Sequence, residues 1–341
     1  MDIKQALEIV VLGKNLSAGE MRGVMRQIMT GMATEAQIGG FLVALRMKGE
    51  SIDEIAGAVE VMRELVTGVK VSGKGLVDIV GTGGDESNLF NVSTASTFVV
   101  AAAGGSVAKH GNRSVSSNSG AADVLEAAGV NLNLSPDQVA LCVQELGVGF
   151  MFAPAHHSAM KHAIGPRKEM IVRTIFNLLG PLTNPAGAKR QLIGVYEAKW
   201  TRPVAEVLQA MGSEHVLVVH SNDGLDEISI SAPTHVAELK DGAISEYEIS
   251  PDTFGLLMTP LEDLVVSDSQ QSLQKVNEAL SGRGGASDIV AMNAGAAIYV
   301  SGQAKSLVAG VEMARDAIGA GLARERLKHF VEFTKQLVKA S

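Results

Sequence analysis

The chain has 341 residues, of which 46% are hydrophobic and 19% are charged, and its formal net charge at pH 7 is −8. A disordered chain is excluded, because disorder requires low hydrophobicity together with high net charge. The negative net charge argues against a general nucleic-acid-binding protein, while a local cationic site stays compatible with it. Glycine is abundant, at 37 residues or about 11% against a typical ~7%. This excess indicates sharp turns, or backbone that comes close to a ligand.

The N-terminal part of the chain carries three helix-start signals. A hydroxyl residue is followed three positions later by Glu or Gln, the pattern of a capping box, at Ser17 and Glu20, Thr34 and Gln37, and Ser51 and Glu54. Apolar residues at helical spacing follow each signal. A segment rich in glycine and short polar residues, Thr67–Lys74, then predicts a hinge. We therefore expect a small helical domain over residues 1–70.

From residue 75 onward, short apolar runs alternate with helical patterns. The runs predict strands at Leu76–Val80, Ser106–Ala108, Val148–Phe152, Gln191–Tyr196 and His215–His220. Helices are predicted at Ser93–Ala103, Ala121–Ala128, Arg202–Met211 and from Pro136. This alternation predicts an α/β domain over residues 75–341, with a mostly parallel central sheet flanked by helices. A hairpin is expected over His235–Ile249, and the C-terminal part is expected to be helical, ending in the charged amphipathic stretch Arg315–Lys339.

The first candidate for chemistry is the glycine loop Gly81–Asp85, which follows a predicted strand and precedes a helix that starts near Asn91. Backbone N–H groups without side chains, together with a helix N-terminus, form an anion site. The spacing matches neither the dinucleotide fingerprint nor the P-loop. The loop is therefore predicted to bind phosphate or pyrophosphate, and the alternative is a tight turn with an ordinary helix cap.

The second candidate is the loop Lys109–Ser117, which also follows a short strand. It contains two cations, Lys109 and Arg113, with neutral hydrogen-bonding side chains and no acid. Lysine, hydroxyls and backbone N–H groups suit phosphate oxygens. A solvated surface loop is the alternative. Loops after successive parallel strands lie at one sheet edge, where α/β proteins bind ligands, and this favours a shared phosphate site.

Two further clusters contain ionisable residues. His156, His157, His162, Arg167 and Lys168 lie close together with few acids, which predicts a cationic helical face for an anionic substrate rather than a metal site. Adjacent carboxylates at Asp226 and Glu227, in a loop after a strand, suit Mg²⁺, which prefers oxygen ligands and bridges to phosphates. A surface acidic pair is the alternative. Together the four clusters predict a Mg²⁺-dependent enzyme for a phosphorylated substrate.

The single cysteine and the N-terminus bear on location. Cys142 lies in a mostly apolar stretch and is expected to be a buried thiol, and one thiol fits a reducing compartment. No secretory signal is evident at the N-terminus, and the apolar stretches are shorter than the ~20 residues that span a bilayer. We therefore expect a cytoplasmic protein with no membrane partner.

Five motifs in order resemble the anthranilate phosphoribosyltransferase family. They are Gly81–Asp85, Asn91–Thr94, Lys109–Arg113 with Ser116 and Ser117, Arg173–Pro185 and Asp223–Glu227. The resemblance covers essentially the whole chain. It implies transfer of the phosphoribosyl group of 5-phosphoribosyl 1-pyrophosphate (PRPP) to the amine of anthranilate, in tryptophan biosynthesis. It also implies the type III phosphoribosyltransferase fold, shared with class II nucleoside phosphorylases, a contribution of about residues 165–188 to the helical domain, and a homodimer joined through that domain.

The resemblance also implies a role for individual residues. The positions that it assigns to PRPP are Gly81, Gly84, Asp85, Asn91, Val92, Ser93, Thr94, Lys109, His110, Gly111, Asn112, Arg113, Ser114, Val115, Ser116, Ser117 and Ala121. Those assigned to anthranilate are Gly81, Asn112, Arg167, His110, His157 and Pro181. Mg²⁺ is assigned to Ser93, Asp226 and Glu227. No general base is assigned, because an aromatic amine is uncharged at pH 7, so catalysis is expected to act through positioning and electrostatics.

Three positions depart from the family pattern. Leu89 stands where Thr is common, Asn118 where a basic residue is frequent, and Ala121 where Ser is common. None of these changes removes a charged ligand on which the expected mechanism relies.

Two other functions are compatible with the residues: a pyrimidine nucleoside phosphorylase of the same fold, and a non-catalytic relative that binds nucleic acid. The glycine loop and the intact acidic pair Asp226 and Glu227 argue against the phosphorylase. The acidic pair and the negative net charge argue against the nucleic-acid-binding relative.

Overall fold

The computed structural model describes residues 1–73, 75–114 and 117–339. Its N-terminal part consists of α1 Ile3–Val11, α2 Ala18–Met29, α3 Glu35–Lys48 and α4 Ile52–Glu64. The predicted capping boxes are confirmed, since Ser17, Thr34 and Ser51 each accept a hydrogen bond from the backbone N–H three residues later. Each helix begins directly after its cap, because the hydroxyl satisfies an N–H group that has no partner inside the helix.

The strands of the α/β part are β1 Leu76–Gly81, β2 Ser106–Gly111, β3 Val148–Phe152, β4 Arg190–Gly194, β5 His215–Ser221, β6 Thr234–Lys240 and β7 Ala243–Ile249. Within the described residues, these seven strands form one sheet in the order β3-β2-β1-β4-β5-β6-β7. Neighbours from β3 to β5 are parallel, and β6 and β7 form the predicted antiparallel hairpin. The winding direction reverses between β1 and β4, which opens a crevice at their carboxyl ends.

Helices cover both faces of the sheet. They are α5 Val92–Ala102, α6 Ala121–Ala127, α7 Pro136–Leu146, α8 Ala153–His156, α9 Lys161–Met170, α10 Ile175–Leu179, α11 Thr201–Ala210, α12 Ser269–Ala279, α13 Gly284–Ser301, α14 Leu307–Gly319 and α15 Leu322–Lys339. The amphipathic stretch predicted from Arg315 to Lys339 spans two helices rather than one, because Gly321 takes a positive φ of 73° between them. No helix in the described ranges is both long and apolar enough to cross a bilayer.

The sheet separates two apolar clusters. Because strand side chains alternate between faces, Ile79 and Leu217 belong to the cluster that contains α5 and α13, whereas Ile193 and Val218 belong to the other. That second cluster also contains Phe41 of α3 and apolar residues of α11. Apolar packing therefore runs without interruption from the N-terminal helices, through α11, to the sheet.

A buried carboxylate lies in a strand remote from the crevice, and it allows a prediction about stability. Glu238 in β6 accepts hydrogen bonds from Tyr247 and Tyr299, each at 2.8 Å, and its Oε1 lies 2.9 Å from Nε2 of His215. Burial acts in the opposite direction, but these bonds hold the pKa of Glu238 down, at about 2. A carboxyl whose pKa is lowered by folding stabilises the protein above its ordinary pKa, and that stability is lost as the pH falls towards the lowered value.

Glu238→Gln is therefore expected to lower the free energy of unfolding at pH 7 by about 1–3 kcal/mol, because charge-assisted hydrogen bonds are lost. The difference from the unsubstituted protein should shrink as the pH falls from about 4.3 towards 2. Urea denaturation at pH 7 and at pH 3 measures both values. Glu145→Gln, at an exposed position, is the control. A difference that stayed constant with pH would contradict the assigned role of the carboxylate.

Candidate active site

The glycine loop lies in the crevice, directly after β1. A Cβ added at Gly81 would overlap Oδ2 of Asp226, and one added at Gly194, the last residue of β4, would overlap the carbonyl oxygen of Asp226. The backbone N–H of Gly83 donates to Oδ2 of Asp226 at 2.7 Å. Two strands that end in glycine therefore let Asp226, from the loop after β5, lie against the ends of β1 and β4.

The first three residues of the second predicted loop, Lys109–Gly111, belong to β2, which is longer than predicted, and the loop itself follows β2 beside β1 at the same edge of the sheet. Its Arg113 is bound to acids of α6: Nη2 lies 2.7 Å from Oε1 of Glu126, and Nη1 lies 3.4 Å from Oδ1 of Asp123. The guanidinium also lies 5.5 Å from the centre of the Phe152 ring. In this conformation the charge of Arg113 is neutralised by α6, although the loop sequence itself contains no acid.

The remainder of the second loop folds back on the start of α6. Oδ2 of Asp123 accepts hydrogen bonds from the backbone N–H groups of Ser114, at 3.0 Å, and Gly120, at 2.9 Å. These contacts place Ser114 against the helix that begins with Ala121. The predicted residues Val115 and Ser116 lie outside the described residues. Within the described part of the loop, the backbone N–H of Ser114 is therefore bound to an acid of α6.

The two loops are joined through Asn91, which precedes α5. Nδ2 of Asn91 donates to the carbonyl oxygen of Ser119 at 3.1 Å, and the hydroxyl of Ser119 donates to Oδ1 of Asn91 at 2.9 Å. Asn91 makes no side-chain cap of its own helix. A cap from the side chain of Asn91 is therefore absent, and the backbone N–H of Ser93 in the first turn of α5 donates instead to Oε1 of Glu227 at 3.2 Å. The buried hydroxyl of Thr94 has no hydrogen-bond partner among the described residues.

Two buried ionisable side chains, those of Lys109 and Asp78, lie beneath the loops. The ammonium of Lys109 donates to the carbonyl oxygen of Ile79 at 2.6 Å and to the hydroxyl of Ser93 at 3.1 Å. Burial raises the pKa of Asp78 in β1 to about 6, against the opposing effect of Lys109. Burial also lowers the pKa of Lys109, while Asp78 and Glu227 oppose that shift. The sequence motif that contains the glycine loop begins at Asp78, but no role was assigned to this residue, although an acid inside an apolar strand was a signal for a buried charge.

Three acids meet at the crevice. The backbone N–H of Ser93 donates to Oε1 of Glu227 at 3.2 Å, which brings Glu227 to the N-terminus of α5. Burial raises the pKa of Asp226, and Asp85 adds to the shift. Burial and the charge of Asp226 likewise raise the pKa of Glu227. Buried carboxylates that repel one another, next to a hydroxyl, form an oxygen donor set that fits a hard divalent cation.

The donor set is incomplete by itself. In the part of the chain that the structure describes, no group of three or more His, Cys, Asp or Glu side chains is arranged to hold a metal. Mg²⁺ commonly keeps water and takes substrate phosphates as further ligands, with only one or two carboxylates from the protein. The arrangement therefore fits a cation that binds together with a phosphorylated substrate.

Two histidines lie side by side behind the loops. The rings of His110 and His157 are 5.0 Å apart and tilted by 49°. Burial lowers the pKa of His110 to about 3 and that of His157 to about 4. The prediction of a cationic face that includes His157 is therefore wrong, because burial keeps this imidazole neutral at pH 7. Within the described residues, the buried Nε2 atoms of both rings have no hydrogen-bond partner.

The remaining predicted residues for the aromatic substrate come from two other segments. Arg167 in α9 lies over the ring of Phe176 at 5.1 Å, and burial lowers its pKa. The carbonyl oxygen of Pro181 accepts a hydrogen bond from Nε2 of Gln191 at 2.9 Å. Asn112 at the end of β2 accepts from the backbone N–H of Ala122 at 3.1 Å through its carbonyl oxygen. Arg167, Pro181 and Asn112 thus each contact a different partner: Phe176, Gln191 and Ala122.

The structure shows contacts of Arg173 with the glycine loop that were not predicted. Nη2 of Arg173 donates to the carbonyl oxygen of Gly84 and lies 3.1 Å from Oε1 of Glu86. Nη1 of Arg46, in α3, donates to the carbonyl oxygen of Arg173 at 2.7 Å. The guanidinium of Arg173 also lies 4.9 Å from the centre of the Tyr196 ring. The glycine loop is thus linked to the N-terminal helices, across a separation in sequence that local patterns do not reveal.

Nearly the whole chain is similar to known proteins. Residues 4–66 match a glycosyl transferase family helical bundle domain, and residues 73–324 match a glycosyl transferase family a/b domain. Anthranilate phosphoribosyltransferase of Cellvibrio japonicus is 63% identical over 99% of this chain and 100% of its own length, and that of Marinomonas sp. is 61% identical over 98% of each. The chain belongs to the anthranilate phosphoribosyltransferase family.

Solved structures agree with this membership. The anthranilate phosphoribosyltransferase of Thermus thermophilus is 41% identical and superposes with a TM-score of 0.91, covering 97% of this chain and 99% of its own. The Saccharomyces cerevisiae enzyme, in complex with PRPP and Mg, is 25% identical with a TM-score of 0.88 over 98% of each chain. The fold and the enzyme class that the motifs implied for an anthranilate phosphoribosyltransferase are confirmed.

Proposed function

We propose that the chain transfers the 5-phosphoribosyl group of PRPP to the amine of anthranilate, giving N-(5-phosphoribosyl)anthranilate and pyrophosphate in tryptophan biosynthesis. The observation that carries the proposal is the contact of Asp226 with the glycine loop at the carboxyl ends of β1 and β4. This contact joins a phosphate-binding loop to an acidic pair in the crevice of the sheet. Relatives that match this chain over their whole length carry the name of that activity.

PRPP is proposed to bind across both loops. Its phosphates would meet backbone N–H groups of the loop that begins at Gly81, the N-terminus of α5 and the hydroxyl of Thr94, which is buried without a partner among the described residues. Asp226 and Glu227, with the hydroxyl of Ser93, would hold Mg²⁺. When bound, Mg²⁺ would supply positive charge for the pyrophosphate group.

The reaction requires stabilisation of the departing pyrophosphate more than it requires proton transfer. Backbone N–H groups and a helix N-terminus are already oriented, so they stabilise charge that builds up on the leaving group without reorganising. As the C–O bond to pyrophosphate lengthens, C1 of the ribose becomes oxocarbenium-like, and the uncharged amine attacks it from the opposite face. The C–N bond forms as the C–O bond breaks, pyrophosphate takes the bonding electron pair, and the nitrogen releases one proton to water. His110 and His157, held neutral by burial, offer that amine aromatic walls with no competing positive charge.

Anthranilate is proposed to bind through Arg167, with Asn112, His110, His157 and Pro181 along its approach. A guanidinium can form two parallel hydrogen bonds with a carboxylate. Burial lowers the pKa of Arg167, which indicates a site where a bound carboxylate would offset the desolvation of the cation. The ring of Phe176 holds the guanidinium plane on one side.

Arg167→Ala is expected to raise the KM for anthranilate at least about tenfold, because a charge-assisted pair is worth about 1.5–3 kcal/mol, and to leave the KM for PRPP within about twofold. The fluorescence of anthranilate, followed with and without PRPP and Mg²⁺, measures both constants and tests the proposed activity. Arg202→Ala removes an exposed arginine that is paired with Glu206 and Glu246 and is the control. Equal changes in both constants would contradict the assignment of Arg167.

We further propose that residues 1–70, with about 165–188, form a helical domain through which two copies dimerise, and that residues 75–341 form the catalytic domain. In support, the apolar cluster that contains α1 to α4 includes residues of α9 and α10, and it continues through α11 to the sheet. The N-terminal helices and the turns that follow them also expose four apolar side chains, Val11, Leu12, Met32 and Met47, which are 67–83% exposed.

We also propose a cytoplasmic location, because a single thiol fits a reducing compartment. That thiol, Cys142, is buried, and burial raises its pKa to about 12.

A further inference from the structure

Asn91 binds a second hydroxyl besides that of Ser119. The hydroxyl of Ser272, in the first turn of α12, donates to Oδ1 of Asn91 at 2.7 Å and accepts from the backbone N–H of Asn91 at 3.1 Å. The side chain of Ser272 is fully buried. Oδ1 of Asn91 has two lone pairs, and each accepts one serine hydroxyl. The orientation of the amide is therefore fixed from two sides.

The segment that leads into α12 also pairs with residues 88–90, which lie between the glycine loop and α5. Residues 264–272, here called the brace segment, contain Val265, which forms an isolated antiparallel bridge with Leu89. The backbone N–H of Phe90 donates to the carbonyl oxygen of Leu264 at 3.0 Å, and that of Val266 donates to the carbonyl oxygen of residue 88 at 2.9 Å. Residues 88–90, which connect the glycine loop to α5, are thus held in a fixed register against the brace segment.

The second loop contacts the same segment through Asn118. Nδ2 of Asn118 donates to the carbonyl oxygen of Val266 at 2.9 Å, and its backbone N–H donates to Oδ1 of Asn88 at 3.2 Å. Leu89 and Asn118 are two of the three positions at which this chain departs from the family pattern. The backbone of Leu89 and the side chain of Asn118 both contact the brace segment. Neither side chain has a hydroxyl or a positive charge to offer a substrate.

We propose that the brace segment positions the PRPP site, and that Ser272 is a positioning residue that acts through Asn91. This inference rests on the proposed function. One hydrogen of Nδ2 of Asn91 is bound to Ser119, and the structure gives the other no partner among the described residues. With Oδ1 fixed by two hydroxyls, that second hydrogen is held ready for a phosphate or ribose oxygen, so less conformational freedom is lost when PRPP binds.

Ser272→Ala and Ser119→Ala test the proposal. Each is expected to raise the KM for PRPP, and the Kd of PRPP measured by titration calorimetry with Mg²⁺, by about 2- to 10-fold, since one net hydrogen bond is lost. The KM for anthranilate should stay within about twofold. Either hydroxyl alone still orients the amide, so the double variant should weaken PRPP binding by more than the product of the two single effects.

Ser301→Ala is the matched control. Its hydroxyl is also buried and donates to a carbonyl oxygen, that of Ile298 at 2.8 Å, at the end of α13. If Ser272→Ala changed only the melting temperature, as the control does, or raised both KM values equally, the positioning role would be overturned. Should Ser272→Ala fail to fold, Ser119→Ala, in a loop, decides alone. An unsubstituted protein that did not consume anthranilate with PRPP would instead overturn the proposed function.

Discussion

Glu227→Gln is expected to abolish most of the activity and at the same time to stabilise the metal-free protein. Glu227 lies half-buried beside Asp226, and partial burial and this neighbouring charge both raise its pKa. A neutral amide of the same shape removes the repulsion, so the melting temperature without Mg²⁺ should rise. A cation ligand is lost, so kcat/KM should fall by at least about 100-fold, as for other losses of transition-state charge stabilisation.

The measurement combines the fluorescence assay with thermal melting. Added Mg²⁺ with PRPP should raise the melting temperature of the unsubstituted protein, because a ligand that binds only the folded state stabilises it. This increase should be largely absent in Glu227→Gln. Glu248→Gln, at an exposed position in β7, should behave like the unsubstituted protein. A variant that kept the full increase with Mg²⁺ and PRPP would remove Glu227 from the cation site.

The fold was largely predictable because its signals are local. A capping box depends on two residues three positions apart, and the helices after Ser17, Thr34 and Ser51 begin where the pattern places them. Alternation of apolar runs with helical patterns likewise predicted the parallel sheet. The break between α14 and α15 was missed, because the amphipathic pattern continues across Gly321 and a single glycine does not reveal a positive φ.

The site was less predictable, because its contacts join distant parts of the chain. Asn91 has the residue type of a helix cap, yet its side chain is bound by Ser119 and Ser272. Arg113 has the residue type of a phosphate ligand, yet acids of the following helix bind it. In both cases the residue type gave the right hydrogen-bonding capacity. Which partner forms the hydrogen bond is determined by the tertiary structure. The spacing of residues in the sequence does not show which of several competing partners will bind.

The glycines at the ends of β1 and β4 also show that the sequence does not reveal which group a residue contacts. The cluster of glycines predicted that the backbone comes close to another group. For the loop that begins at Gly81, that group was predicted to be a ligand. The structure adds that Gly81 and Gly194 are required by a residue of the protein itself, since both lie against Asp226. Gly194 was not singled out, because it ends an apolar strand with no other glycine nearby.

Gly194→Ala is therefore expected to reduce kcat/KM by at least about 100-fold. An added Cβ would overlap the carbonyl oxygen of Asp226 and would also come within 3.1 Å of its Cα. The backbone at Asp226 must move, because a main-chain carbonyl has no alternative rotamer. A displacement of about 1 Å in a group that holds the reacting partners costs roughly 100-fold in rate. Overpacking at this position should also lower the free energy of unfolding by about 1–3 kcal/mol.

Gly319→Ala provides the matched comparison for this prediction. Gly319 ends α14, and a Cβ added there meets nothing within 4 Å, so alanine should be neutral or slightly stabilising through its higher helix propensity. Activity in the fluorescence assay and urea denaturation separate the two variants. Full activity in Gly194→Ala would mean that Asp226 can shift without loss, and the close packing of β4 against the acidic pair would then have no part in catalysis. If Gly194→Ala loses more activity than its lower stability explains, the end of β4 is one of the elements that position the cation site.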